Sequence, residues 1–368
     1  MKPLVAPHIA SLTPYIPGKP IEELERELGI HGAVKLASNE SALGPSPRVV
    51  DAVRAAAACL HRYPDDTAHA LRSRLADMHR VSIDEVCLGH GSNELIDLSV
   101  RAFATPREHA VIGSPTFSCY GLSLHAADVP TTVVPLRDSL FWDLDRVLAA
   151  VQPETKLVYL DNPGNPTSTH IADQALRAFL RALPADVIAV IDEAYFEFAT
   201  AADYASALGM RDLRERLIVM RTFSKAYALA GLRLGYAIAR PQLISYLQRV
   251  RVPFNANSVV QAAALAALDD DEHLRRSVAL NDRERARMSD ALWALGLAVA
   301  PSQTNFVCVQ LDRPAKLVYE ALLRAGVIVR PFGPPLDRHL RISVGLPEEN
   351  DRLLRTLPVV MQQVAPTV

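Results

Sequence analysis

The sequence predicts an α/β protein with a large, mostly parallel, doubly wound sheet domain and a smaller α+β domain. Three observations carry that expectation. From about residue 81 to residue 240, short apolar runs alternate with amphipathic stretches of helix length, the rhythm of repeated βαβ units. Runs such as Val187-Ile188-Ala189-Val190-Ile191 are apolar at every position, as expected of a strand covered on both faces. Beyond Pro241 the order changes to a helix, a long charged helix, and then strands interleaved with helices, which reads as a separate α+β unit.

The elements follow in chain order. Pro14, Pro17 and Pro20 restrict the backbone and remove donors, so the first residues read as an arm, followed by a short helix from about Ile21 to Leu28. A strand ends at Leu88-Gly89, and further strands are expected at 109–113, 131–135, 156–160, 187–191, 217–221 and 234–239. Helices are expected at 93–103, 143–151, 171–182 and 205–213. The second unit carries helices at 259–268, about 272–295, 314–325 and about 347–363, with Gly296 as a stop, and strands near 305–310, 327–330 and 340–344. The chain therefore divides into residues 1–37, an arm and helix packing on the small domain; 38–270, the large domain; and 271–368, the small domain.

Composition narrows the function. The chain has 368 residues with a formal net charge of −2, so no basic footprint for nucleic acid or a membrane surface is expected. No apolar run reaches the roughly 18 residues of a transmembrane helix, and the N-terminus lacks the basic and apolar order of a signal peptide. Cys59, Cys87, Cys119 and Cys308 stand singly, without the spacing of a zinc site or a disulfide framework, so no metal and a cytoplasmic location are expected.

The chemistry concentrates in four short segments. Lys225 sits in Thr222-Phe223-Ser224-Lys225-Ala226-Tyr227, one of six lysines against thirty-three arginines, among small and apolar residues. Such surroundings disfavour the ammonium form, and a neutral amine can condense with a carbonyl cofactor. Taken alone, it could equally be a lysine snorkelling from a core helix. Gly89-His90-Gly91-Ser92-Asn93 is a strand-to-helix turn in which Ser92 is placed to cap the helix and free amides could hold an anion; an ordinary turn would look the same. In Asp161-Asn162-Pro163-Gly164-Asn165-Pro166 two prolines stiffen a loop and would fix the Asn165 amide, or form a plain turn. Asp192 and Tyr195 follow the apolar strand at 187–191, where an acid needs a cationic partner unless it merely caps a helix.

One cofactor uses all of these. Pyridoxal phosphate needs a lysine for its aldehyde, an acid at its ring nitrogen, donors to its phenolate oxygen, an anion cradle for its phosphate and a flat group over the ring. Lys225, Asp192, Asn165 with Tyr195, the Ser92–Asn93 turn with Ser224 and Arg233, and Phe117 can fill those roles. Each follows a predicted strand, where ligand sites of open α/β sheets lie.

On these residues the chain resembles fold-type I pyridoxal-phosphate aminotransferases over nearly its whole length, and most closely the histidinol-phosphate aminotransferase family of class II. Further segments carry the likeness: Pro14-Tyr15-Ile16-Pro17-Gly18-Lys19-Pro20, Ala37-Ser38-Asn39-Glu40, Arg62-Tyr63-Pro64-Asp65, Val329-Arg330-Pro331-Phe332-Gly333 and Leu340-Arg341-Ile342-Ser343-Val344-Gly345. The resemblance implies pyridoxal 5'-phosphate as cofactor, an amino donor and a 2-oxo acid as small-molecule partners, and a homodimer with shared active sites. It implies that Tyr63 reaches the cofactor phosphate of the neighbouring subunit, that Arg341 binds the anionic end of the amino donor, and that Tyr15, Asn39 and Arg330 help hold the substrate. The chain departs from the pattern at Ser168, where the family usually has glycine, at Phe117, where many relatives have tyrosine, and in the extra proline of Pro334-Pro335. Related alternatives are an aromatic amino acid aminotransferase, a threonine-phosphate decarboxylase-like lyase, and a cofactor-binding regulator without catalysis.

Overall fold

The structure is a computed structural model describing residues 2–14 and 18–364. After β1 (Val34–Lys35), seven strands form the main sheet: β2 (Val86–Gly89), β3 (His109–Ser114), β4 (Thr131–Pro135), β5 (Thr155–Asp161), β6 (Ile188–Asp192), β7 (Leu217–Thr222) and β8 (Gly235–Ala239). Their order across the sheet is β2-β8-β7-β6-β5-β3-β4. The central pairs are parallel, and β8 runs against both of its neighbours. That reversal follows from the chain between β7 and β8. It holds one short 3₁₀ turn, Ala230–Leu232, and no crossover helix, and so returns antiparallel with Thr222 opposite Gly235. Lys225 lies in this return, at the carboxyl end of β7.

Both faces of the sheet are covered. Gly91–Phe103 and Pro241–Val250 contribute Leu95, Leu98 and Leu247 to one apolar layer beneath β3, β5 and β6. Asp173–Ala182 contributes Leu176, Phe179 and Leu180 to the opposite layer. Two-sided burial is why β6 is apolar until its last residue.

The rest of the chain builds a second core. β9 (Ala298–Val299), β10 (Phe306–Gln310), β12 (Arg330–Pro331) and β13 (His339–Ser343) form an antiparallel sheet in the order β12-β13-β10-β9. Met288 of the long helix Asp271–Ala294, Leu322 of Ala315–Arg324 and Leu353 of Pro347–Gln363 pack against it. β1 pairs in parallel with β11 (Val327–Ile328), which ties the N-terminal segment to this unit. Ile21–Leu28 packs there too, through Leu24 against Ala37 and Ile328. The short helix Pro7–Ala10 instead approaches Cys119–Ala126 beside the main sheet, where Ser11 Oγ is 2.9 Å from His125 Nε2.

Among the described residues five α-helices go beyond the sequence expectation: Pro7–Ala10, Pro47–Ala57, His69–His79, Cys119–Ala126 and Pro241–Val250. Pro47–Ala57 had a readable start, since Ser46 accepts from Val49 N and proline occupies the first helical turn. The segment expected as a helix at 205–213 is a 3₁₀ helix, Ala207–Leu213. Among the described residues no helix is long and apolar enough to cross a membrane.

Glu193, the residue after β6, is fully buried and locks the strand ends. It accepts from Arg221 Nε at 3.0 Å and Nη2 at 2.9 Å, and from Ala207 N at 2.6 Å. The Arg221 guanidinium lies 3.5 Å from the Phe196 ring centroid. Removing one partner of a buried pair strands the other charge. Glu193→Ala should therefore destabilise the fold by about 3–5 kcal/mol, read as a lower urea midpoint. A shift within about 0.5 kcal/mol, as for an ordinary surface change, would show that the pair is not needed.

Candidate active site

The carboxyl ends of β3, β5, β6 and β7 open onto a cavity of about 560 Å³, closed on its far side by β12, β13 and the turn at Gly333-Pro334-Pro335. Lys225, Asp192, Tyr195, Asn165, Phe117, Ser92, Asn93, Ser224, Arg233, Asn39, Arg330 and Arg341 all line it. Tyr63 does not. It is 83% exposed elsewhere on the surface, its ring stacked on Phe254 at 4.6 Å. Tyr15 lies outside the described residues.

Lys225 Nζ donates to the Ser38 carbonyl at 3.3 Å and lies 5.7 Å from the Tyr195 ring centroid. Burial, reinforced by Arg341, lowers its pKa to about 7, with Glu40 pulling the other way. The side chain is partly buried and touches the cavity.

Asp192 closes β6 directly opposite Asp161, the last residue of β5. Burial pushes Asp192 up to about 6, and the Tyr120 hydroxyl and Ala194 amide oppose that shift. Burial also pushes Asp161 up to about 7, against the hydrogen bond from the Asn165 amide. Asp161 is a functional neighbour that the sequence reading missed. It accepts from Asn165 N at 2.9 Å and from Trp142 Nε1 at 3.2 Å, and so holds the Asn165 loop. The Asn165 side-chain oxygen in turn accepts from Arg341 Nη1 at 2.7 Å.

The helix after β2 begins at Gly91 with a φ of 72°, so Ser92 is its second residue and not its cap as expected. The left-handed glycine lets the chain turn into the helix one residue early. A side chain at Gly91 would collide with the Arg233 guanidinium, and one at Gly235 would come within 2.6 Å of Ser92 N. Gly91 thus leaves room for Arg233 against the helix start, where it donates to Ser224 Oγ at 3.2 Å, and Gly235 lets β8 approach that start closely. Amides at a helix start, two hydroxyl side chains and a guanidinium make an anion cradle.

The opposite wall supplies a second cationic pair. Arg341 on β13 stands across from Arg330 on β12, and also donates to the Ala37 carbonyl at 2.6 Å. Its guanidinium lies between the Phe306 and Phe332 rings, at 5.4 and 5.7 Å. Asn39 donates to the Tyr195 hydroxyl at 3.0 Å and accepts from Ser343 Oγ at 2.9 Å. Ser168 has a φ of 66°, so the turn keeps the left-handed backbone that glycine favours, and its hydroxyl is buried without a hydrogen-bond partner.

Comparisons agree with this geometry. The profile of aminotransferases of class I and II matches residues 32–357. A histidinol-phosphate aminotransferase of Anaeromyxobacter sp. is 47% identical, over 96% of this chain and 98% of that protein. Histidinol-phosphate aminotransferase 2 of Pseudomonas aeruginosa is 46% identical over 97% of this chain and 98% of its own length. The crystal structure of histidinol-phosphate aminotransferase from Sinorhizobium meliloti in complex with pyridoxal-5'-phosphate superposes with a TM-score of 0.91 at 32% identity, covering 99% of each chain. The chain belongs to the class I and II aminotransferases, and within them to the histidinol-phosphate aminotransferase family.

A buried amine with a lowered pKa makes a definite prediction for the cofactor-free protein. Below about pH 7 Lys225 is protonated and inert; as pH rises through 7 it becomes a nucleophile. Its modification by an amine-selective reagent, followed by peptide mass spectrometry, should show a midpoint near 7. Arg341→Gln removes a nearby cation and should move that midpoint upward. A midpoint at the ordinary lysine value of about 10.4 would contradict this account of the site.

Proposed function

We propose that the chain binds pyridoxal 5'-phosphate and transfers the amino group of L-histidinol phosphate to 2-oxoglutarate, giving imidazole-acetol phosphate and glutamate, a step of histidine biosynthesis. The observation that carries this reading is the convergence, in one cavity, of a low-pKa lysine, a buried acid, an anion cradle and a separate arginine pair. The names of the full-length relatives support the substrate.

The residues present fit the cofactor. Ser92, Asn93, Ser224 and Arg233 would hold its phosphate, and the close approach allowed by Gly91 and Gly235 leaves that cradle compact. Asp192 would pair with the ring nitrogen, Asn165 and Tyr195 would serve the phenolate oxygen, and Phe117 would lie over the ring. When bound, pyridoxal phosphate supplies an aldehyde for the amine and a protonated ring that accepts the electron pair released at the substrate carbon.

The chain supplies the rest. Lys225 Nζ, neutral above about pH 7, can take the proton from the substrate carbon and return it at the neighbouring position. Asp192 would supply the negative charge that keeps the ring nitrogen protonated. Arg341 offers a fork for a donor carboxylate or a substrate phosphate, and Arg330 beside it can share the phosphate. Asn39 holds Tyr195 by its hydroxyl and so fixes one edge of the site.

We also infer a homodimer with shared sites, in which Tyr63 reaches the phosphate of the neighbouring subunit. Its support is an exposed, stacked aromatic outside its own cavity. Inactive Tyr63→Phe and Lys225→Ala subunits, mixed and allowed to exchange, should regain activity, because one site of the mixed pair carries neither change. No recovery despite demonstrated exchange would remove the shared site.

The substrate is tested by adding histidinol phosphate, phenylalanine and threonine phosphate separately to the loaded enzyme and following conversion of the cofactor to its amino form. Histidinol phosphate should exceed phenylalanine in kcat/KM by about tenfold to a hundredfold, the worth of charge-assisted bonds to its phosphate. Equal use of phenylalanine would favour an aromatic aminotransferase, and carbon dioxide released from threonine phosphate would favour the lyase.

A further inference from the structure

The acid at the end of β6 is gripped from the side by a residue of the helix Cys119–Ala126. Tyr120 donates its hydroxyl to Asp192 Oδ2 at 2.8 Å, while Ala194 N donates to Oδ1 at 3.1 Å. Tyr120 has no exposed surface. Its ring stacks on Tyr159 of β5 at 5.2 Å and 17°, and meets Phe117 edge-on at 5.8 Å. Tyr159 is fixed in turn by a 2.7 Å contact between its hydroxyl and Ser99 Oγ in the helix Gly91–Phe103. One turn of chain therefore delivers both Phe117 over the cavity and the hydroxyl that meets the acid.

We propose that Tyr120 is a positioning residue for Asp192: held rigid by Tyr159, it fixes the carboxylate's orientation and supplies one of the two hydrogen bonds that keep it an anion facing the ring nitrogen. The inference rests on the assignment of Asp192 to that nitrogen. An aspartate side chain rotates readily about its terminal torsion, and donors on both oxygens remove that freedom. Burial and the neighbouring Glu193 work against ionisation, while Lys225, facing the acid from the β7–β8 return, favours the anion where it is protonated. Asp161 is the register partner of Asp192. Burial raises the acid's pKa to about 6, and the bond from Tyr120 is the largest influence opposing that rise. Hydrogen bonds to charged groups are worth more than neutral ones, and a donor to the ionised form favours it.

Tyr120→Phe keeps the ring and its stacking and removes only the hydroxyl. The test uses the holoenzyme carrying cofactor with an isotope-labelled ring nitrogen. Three quantities are read: the amine half-reaction rate, cofactor retention, and the protonation of the ring nitrogen by NMR. We expect a rate loss of about tenfold or more, nearly unchanged retention, and a nitrogen resonance displaced toward the unprotonated form. A fluorinated tyrosine at position 120, which keeps the donor, should restore the native rate and resonance, and it serves where the phenylalanine variant does not fold. In an Asp192→Asn background the Tyr120 change should add little, because residues acting through one another are not additive.

A native rate and native resonance in Tyr120→Phe would overturn the proposal. So would an equal loss in both backgrounds, which would make Tyr120 an ordinary core residue. Native turnover and a protonated nitrogen in Asp192→Asn alone would instead sink the functional reading, and the proposed role of Tyr120 with it.

Discussion

The site depends on keeping an amine uncharged in a place that already holds too much positive charge. Lys225 is enclosed by protein, with Arg341 and Arg233 acting on it through space, and burial is the larger of the effects that lower its pKa to about 7. At an ordinary lysine value the same side chain would be an ammonium at neutral pH and a poor nucleophile. The fold produces the shift by setting the lysine in a return between β7 and β8 too short for a crossover helix. The side chain then emerges among the strand ends, where it lines the cavity.

The acids follow the complementary rule. Asp161 and Asp192 end adjacent parallel strands and face the same cavity, where burial raises both pKa values. Their partners differ, and so do their tasks. Asp161 is engaged by Trp142 and the Asn165 amide, and it shapes a loop. Asp192 is engaged by Tyr120 and Ala194 and faces the cavity. The second unit contributes the arginine pair, brought opposite the strand ends by β12 and β13. The cavity therefore lies between the main sheet, whose β7–β8 return carries Lys225, and the second sheet, which carries Arg330 and Arg341.

Much of this was legible in the sequence, for physical reasons that can be named. The strand pattern was strong because a two-sided sheet demands apolar residues at every position, as in β6. Lys225 stood out because lysine is rare in this chain and its neighbours are small or apolar. The short helices were harder to see: in Cys119–Ala126 apolar and polar residues do not separate onto two faces, so no amphipathic period marks it. Tyr120 was hidden for the same reason, although its spacing three residues after Phe117 puts both on one turn. Asp161 carried no signal of its own, since its role comes from the bonds that Asn165 N and Trp142 Nε1 make to it in the folded loop. The start of the helix at Gly91 goes with that glycine's left-handed backbone, at a position where a side chain would meet Arg233.

The central claim is that Lys225 is the residue to which a carbonyl cofactor attaches. Borohydride reduction of the cofactor-loaded protein, followed by peptide mass spectrometry, tests it most directly. The account predicts one cofactor-derived mass addition, on the peptide containing Lys225, and its disappearance in Lys225→Ala. A label on Lys19, Lys35 or Lys156 instead would contradict the account.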